Sequence, residues 1–231
     1  MPAAQVRSIG LQFDQVDKRY GAVYALRNLT LSIAAGECMA IAGRNGSGKT
    51  TLLRVAAQLV RPTRGSISFC GGADHPKPQI GFVGHSTMVY DELTAAENLI
   101  FFAKLQGVTE AKTRADELLL EVGLEDRKDS LVRTFSRGMR QRVAIARALL
   151  AQPSLLLFDE PATGLDAESS AWLTEHVRKL RDTRCTILMS LHGESPMARL
   201  ATRAVRLEGG SVIADTQRGA MLQSIFAAAG C

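Results

Sequence analysis

The sequence predicts an α/β fold, a sheet core into which a helical subdomain is inserted. Three observations predict it. A strand-like run (ECMAIA), a glycine-rich turn (GRNGSGKT) and a helix-like run (TTLLRVAAQL) follow one another between residues 37 and 59. Two later runs, SLLLFD and CTILMS, are continuously apolar, as strands buried on both faces are. Between them and the first sheet segments, residues 86 to 150 carry a helical rather than a two-residue period, so the sheet pattern is broken once and then resumes.

Taken in order, IGLQFDQV, LTLSI and ECMAIAG read as short strands over residues 9 to 42. A helix runs from Gly48 to about Leu59 and ends at the turn RPTRG. The strands GSISFC and QIGFV follow, separated by GGADHPKP. Thr94-x-x-Glu97 is a capping box that opens a helix through Leu99, Phe102, Ala103 and Gln106. A second helix covers roughly 110 to 122 and stops at Gly123. Residues 127 to 151 read as mostly helical and end before Pro153. After SLLLFD comes a helix from Ala167 to Arg181, then CTILMS, then the hairpin AVRLEGGSVIAD with Gly-Gly at its turn. A short helix closes the chain. The organisation expected is a single domain over 1–231, with 1–85 and 151–231 as the core and 86–150 as the insert.

Bulk properties remove several classes. No apolar run reaches 18 residues, and the start, MPAAQVRSIGLQF, lacks the apolar centre of a signal peptide, so a cytoplasmic protein is expected. The net charge of +5 is mild, and the basic residues form no run of five or six, so no nucleic-acid tail is expected. The cysteines, Cys38, Cys70, Cys185 and Cys231, show no C-x-x-C spacing. The first three sit in strand-like stretches and read as reduced core residues.

GRNGSGKT satisfies G-x-x-x-x-G-K-[ST] between a strand and a helix, the context the motif needs. Gly43, Gly46 and Gly48 let the backbone turn so that successive N–H groups, with those of Arg44, Asn45, Ser47 and Thr51, face a phosphate chain. The helix start behind them favours anions. Lys49 supplies charge for the outer phosphates, and the Thr50 hydroxyl suits Mg²⁺, which prefers oxygen ligands. The motif says nucleoside triphosphate; it does not choose between kinase, GTPase and motor.

LLLFDEP ends a buried strand with two carboxylates. Asp159 is placed to enter the Mg²⁺ shell, and Glu160 to take a proton from an attacking water. His192 ends the next strand, so it should face the same crevice and sense the γ-phosphate. FSRGMRQRVAIARALL, residues 135 to 150, is a basic amphipathic helix whose start, Ser136 followed by Gly138, is a capped anion site.

The order of these elements resembles the ATP-binding subunit of ABC transporters over essentially the whole chain. GRNGSGKT resembles Walker A, LLLFDE resembles Walker B with its catalytic glutamate, and FSRGM resembles the signature motif, usually LSGGQ. TGLD resembles the D-loop, with Asp166, and His192 the switch histidine. Tyr20, 23 residues before Gly43, is similar to the aromatic residue that stacks on adenine. The resemblance implies a P-loop ATPase core with an antiparallel β subdomain and an inserted helical subdomain, binding ATP and Mg²⁺. It also implies a homodimer or paired ATPase subunit in which Ser136, Arg137, Gly138 and Met139 close on ATP held by the other chain. An integral membrane permease would be the further partner, with the chain peripheral at the cytoplasmic face of the inner membrane. Phe135, Arg137 and Met139 depart from the usual signature, while Ser136 and Gly138 keep it.

His85 stands where the family carries the Q-loop glutamine. A neutral imidazole is a poor Mg²⁺ ligand but can hydrogen-bond a metal-bound or attacking water. VGH, LTAxENL and SRGMRQR resemble the heme exporter ATP-binding branch of cytochrome c maturation and related short export ATPases. A non-transport ABC ATPase acting on ribosomes or nucleic acid is the alternative; it usually carries two cassettes or a long insert, and this chain has one phosphate loop. A small-molecule kinase would leave the signature stretch and the strand-end Asp-Glu without a purpose.

Overall fold

The computed structural model describes residues 8–70, 78–192 and 195–216. The early strand signals turn out longer than their apolar cores. β1 (Gly10–Tyr20) and β2 (Val23–Ile33) form an antiparallel hairpin turning at Gly21 and Ala22, and β4 (Arg64–Cys70) pairs with the other edge of β1. Their distal ends are polar or exposed, which is why a hydrophobic pattern stops short of them. Cys70, expected in the core, is exposed at the end of edge strand β4; Cys38 and Cys185 are buried. Burial pushes both of those thiols up to about 12, so they stay protonated. Cys231 and the expected C-terminal helix lie outside the described residues.

The second sheet has the order β5-β6-β7-β3-β8-β9, with β3 (Cys38–Ala42), β5 (Ile80–Val83), β6 (Leu155–Asp159), β7 (Thr186–Ser190), β8 (Arg203–Glu208) and β9 (Ser211–Thr216). The first five run parallel and β9 returns antiparallel through the predicted Gly209-Gly210 turn. Every residue of β3, β6 and β7 is buried. The faces divide by parity, as a pleated strand requires. Cys38, Ala40, Leu156, Phe158, Ile187 and Met189 enter one core with the helices; Met39, Ile41, Leu155, Leu157 and Leu188 enter the other. In the second core α1 (Lys49–Ala56) fills the space between the two sheets with Leu52, Leu53 and Val55. It ends three residues earlier than the sequence predicts, because the chain turns over Gln58, at φ +58.

The insert contains α2 (Ala95–Leu105), α3 (Ala111–Glu121) and α4 (Arg137–Leu149). The Thr94–Glu97 capping box forms as expected, with both reciprocal hydrogen bonds. The continuous helical reading of 127 to 151 does not hold. Two 3-10 turns, Glu125–Arg127 and Val132–Thr134, come first, Thr94 bridges to Leu131, and the α-helix starts only after Ser136. Ser136 explains the delay: its side chain accepts from Met139 N at 3.2 Å, which fixes the helix start there. α5 (Ala167–Asp182) likewise starts behind Asp166, whose side chain accepts from Ser169 N at 2.7 Å. Among the described residues no helix is long and apolar enough to cross a membrane.

Candidate functional site

Parallel strands present all their carboxyl ends at one edge of a sheet, and binding crevices form there. The strand order sets the sequence of groups along that edge: His85 after β5, Asp159 and Glu160 ending β6, His192 after β7, and the phosphate loop after β3. The register ties them closely. Asp159 pairs with Ser190, and Leu191 N donates to Ile41 O at 3.0 Å. The groups at the strand ends therefore line one edge, while Tyr20, the signature helix start and Asp166 lie on other elements.

The phosphate loop is built by close approach. A Cβ on Gly43, at φ +151, would collide with the Leu207 carbonyl, and one on Gly48, at φ +110, with the Ala25 carbonyl. Lys49, 5% exposed, donates Nζ to Gly43 O at 2.8 Å and lies 3.6 Å from Glu160 Oε1. Thr50 Oγ1 donates to Asp159 Oδ1 at 3.1 Å, so the two oxygens expected from the sequence to ligate Mg²⁺ are adjacent. Two hard oxygen ligands on rigid elements, leaving positions for phosphate and water, suit Mg²⁺, and clusters of three or more acidic, His or Cys ligands are absent among the described residues. Ser47 Oγ is buried without a hydrogen-bond partner inside the loop, a donor left over for a ligand oxygen. Arg44, Asn45 and Gly46 are exposed at the mouth, and Thr51 is half-buried behind it on α1.

Ser190 was not singled out from the sequence, yet it organises the acidic pair. Its hydroxyl, fully buried, donates to Asp159 Oδ1 at 2.8 Å and accepts from Glu160 N at 2.9 Å. Glu160 takes a left-handed backbone, φ +50, a conformation a non-glycine residue holds only where its surroundings impose it. The signal in the sequence was present: CTILMS ends in a polar residue aligned with Asp159. His85 and His192 are both exposed at the edge. Tyr20 is half-exposed at the end of β1 and lies under Lys18 Nζ at 5.1 Å. Ala25 and Leu26 of β2 pack beside Gly48, so the hairpin backs onto the phosphate loop. Tyr24 pairs with Arg19 and lies between the Arg19 and Arg27 guanidinium groups.

The signature turn sits elsewhere. A Cβ on Gly138 would lie 2.9 Å from Ser169 Cβ, so Gly138 is pressed against the first turn of α5. Arg137 lays its guanidinium on Gly164, where a Cβ would lie 2.9 Å from its Cζ. Ser136 and Met139 flank this contact at the N-terminus of α4. Asp166 caps α5 in the same cluster, and its bonds from Ser169 hold its carboxyl below the usual range. No hydrogen bond or ion pair joins this cluster to the phosphate loop among the described residues.

Residues 26–163 match the family model described as ABC transporter. The chain is 41% identical over 212 residues to the ABC transporter ATP-binding protein NatA of Bacillus subtilis, covering 88% of this chain and 85% of that protein. It is 35% identical over 221 residues to the Nod factor export ATP-binding protein I of Burkholderia orbicola, covering 93% of this chain and 73% of the relative. The fold matches the dimeric ATP-binding cassette MJ0796, solved with ADP and phosphate, at a TM-score of 0.79 and 29% identity, over 90% of this chain and 98% of that one.

Proposed function

The chain belongs to the ABC transporter family of ATP-binding subunits, and from that premise we propose that it hydrolyses Mg-ATP as half of an ATPase pair to drive a membrane permease. The observation that carries this is the 3.1 Å contact of Thr50 Oγ1 with Asp159 Oδ1, with Glu160 Oε1 3.6 Å from Lys49 Nζ. It supports reading Thr50 and Asp159 as a metal-binding pair, Glu160 as a general base and Lys49 as the cation for the phosphates, at the start of α1 and the end of β6. Lys49 binds the outer phosphates, Ser47 Oγ donates to a phosphate oxygen, and Tyr20 stacks on the adenine. Thr50 and Asp159 would hold Mg²⁺, which neutralises charge on the phosphates when bound. Glu160 accepts the proton of the attacking water, His192 hydrogen-bonds the γ-phosphate, and His85 orients a water from the β5 side.

Pairing is supported by the separation of the signature cluster from the phosphate loop within one chain. Ser136, Arg137, Gly138, Met139 and the Asp166 turn form one contiguous surface that a second subunit can bring onto its partner's ATP. Export as the direction is supported by similarity to a subunit named for Nod factor export, and a position at the cytoplasmic face of the inner membrane rests on the family resemblance of the motifs. Heme as cargo is supported only by the VGH, LTAxENL and SRGMRQR resemblance. No nucleic acid is a substrate in this reading.

Glu160→Gln is the test. With ATP and Mg²⁺ the variant should run as a dimer in size-exclusion chromatography with light scattering, and hydrolyse ATP at least about a hundredfold more slowly. Tagged and purified from detergent-solubilised cells, it should bring an integral membrane protein with it. Hydrolysis at the wild-type rate removes Glu160 as the base, and ribosomal proteins in place of a membrane partner remove the transport reading.

A further inference from the structure

Arg147 is the least expected charge in the molecule. It lies in the apolar second half of α4, 8% exposed, and no carboxylate pairs with it among the described residues. Taking a guanidinium out of water is costly unless its donors are satisfied. Two of them are, by the end of β5 and the loop that leaves it: Nη1 donates to Met88 O at 2.6 Å and Nη2 to Phe82 O at 3.0 Å. Its plane is covered by the Phe102 ring of α2, 5.2 Å away. The two carbonyls bracket His85, three residues from each.

The rest of the loop is fixed in the same manner. Asn98, fully buried, accepts from Tyr90 N at 2.8 Å and donates to Tyr90 O at 2.9 Å. Met88 adopts φ +51, a backbone state that a side-chain-bearing residue keeps only when held. The segment around His85 is thus a short exposed span between pinned ends, and one end of each pin is a residue of α4 or α2. A fork of two parallel donors also fixes direction as well as distance, which a lysine at the same place would not.

We propose that Arg147 is the positioning residue for His85, locking the β5–α2 loop onto α4 so that the signature helix and the histidine move as one body. The proposal rests on the reading of His85 as a water-orienting group. Under it, α4 serves two ATP sites: its N-terminus meets the nucleotide of the partner subunit, and its C-terminal half sets the histidine of its own. Closure of the signature turn onto the partner's ATP would then be felt at His85.

The test is a double-mutant cycle on the purified full chain, comparing His85→Ala, Arg147→Lys and the double variant by ATPase rate at saturating and limiting ATP. Arg147→Lys should lower kcat about tenfold with KM for ATP within about twofold, and the double variant should be no slower than the slower single variant by more than about twofold. A wild-type rate in Arg147→Lys, or fold-changes that multiply, overturns the proposal. If Arg147→Lys does not fold, Phe102→Leu keeps both carbonyl bonds and removes the ring that covers the guanidinium. Its loss of kcat, about threefold, should again vanish in the His85→Ala background, and a loss that persists there overturns the proposal. Should His85→Ala alone match the wild type, the reading of His85 fails. Hydrogen exchange across residues 83–90 then decides for Arg147: faster exchange in Arg147→Lys by about tenfold or more supports the lock, and unchanged exchange overturns it.

Discussion

Replacing Ser190 with alanine removes one hydroxyl and asks how much of the acidic pair depends on it. The hydroxyl has two bonds, a donation to Asp159 Oδ1 at 2.8 Å and an acceptance from Glu160 N at 2.9 Å. The second is partly replaceable, because Glu160 N also reaches Ser190 O at 3.2 Å. The first is not: Asp159 Oδ1 keeps only the longer bond from Thr50. A buried hydrogen bond to a charged acceptor contributes about 2 kcal/mol. For a chain of this length that corresponds to roughly 4–8 °C in Tm, read by calorimetry or thermal shift. Removing a group that orients a metal ligand costs about ten- to a hundredfold in metal affinity or activity. The Mg²⁺ concentration at half-maximal ATPase should therefore rise by about that factor in Ser190→Ala. In an Asp159→Asn background the stability loss should shrink, since the acceptor no longer carries a charge. A Tm within about 1 °C of wild type together with an unchanged Mg²⁺ titration would refute the assignment of Ser190 as the residue that aims Asp159.

Lys49→Ala should weaken ATP binding by at least about tenfold in isothermal titration, through loss of the only lysine in the phosphate loop; unchanged affinity would remove the loop as the phosphate site. Gly138→Ala should cost about 1–3 kcal/mol in urea unfolding, because its Cβ would press on Ser169 at 2.9 Å, and ATPase should fall with it. A neutral result there would mean that the two helix starts are free to separate. His176 gives the pH dependence. Burial, with Lys179 and Arg142 nearby, lowers its imidazole from 6.5 to about 4, so the fold holds it neutral and disfavours its protonation. Its contribution to stability is complete above pH 6.5 and is lost as pH falls toward 4, by about 2 kcal/mol at pH 5. Other carboxylates titrate in that window, so the measure is the stability of wild type minus that of His176→Phe, which should fall as pH goes from 7.5 to 5.

Legibility followed a simple physical divide. Whatever is specified by contiguous chemistry could be read: the phosphate loop between its strand and helix, the continuous runs of β6 and β7, the Thr94 capping box, the Gly209-Gly210 hairpin. What depends on a distant neighbour could not. Cys70 looks apolar in sequence, but Ile67 and Phe69 are the β4 residues that pack on the core, so the pleat puts Cys70 on the exposed face with Ser66 and Ser68. The stretch 127–136 has a helix-like composition, and the Thr94–Leu131 bridge and the Ser136 cap hold it in short turns instead. Ser190 and Arg147 are single polar residues in apolar runs, and only the parallel register with Asp159 and the packing of α4 on the β5 loop make them functional candidates.

The signature departure makes sense in the same terms. With glycine as the third signature residue, nothing but backbone would face the Asp166 turn. Here Arg137 extends across Gly164, and Gly164 is at φ +71, so both the turn and the surface under the guanidinium need glycine. Gly138 closes against Ser169 one residue later. The signature start and the Asp166 turn are thereby joined along two successive residues into one surface. On the other side, α4 is joined to the His85 loop through Arg147. A helix fastened at both ends cannot rotate at one without disturbing the other. An arginine in the signature, which looks like degeneration when set against the usual motif, is then a stiffener: it adds a contact within the chain and leaves Ser136 Oγ at the exposed helix start, where a second subunit's phosphate would meet it.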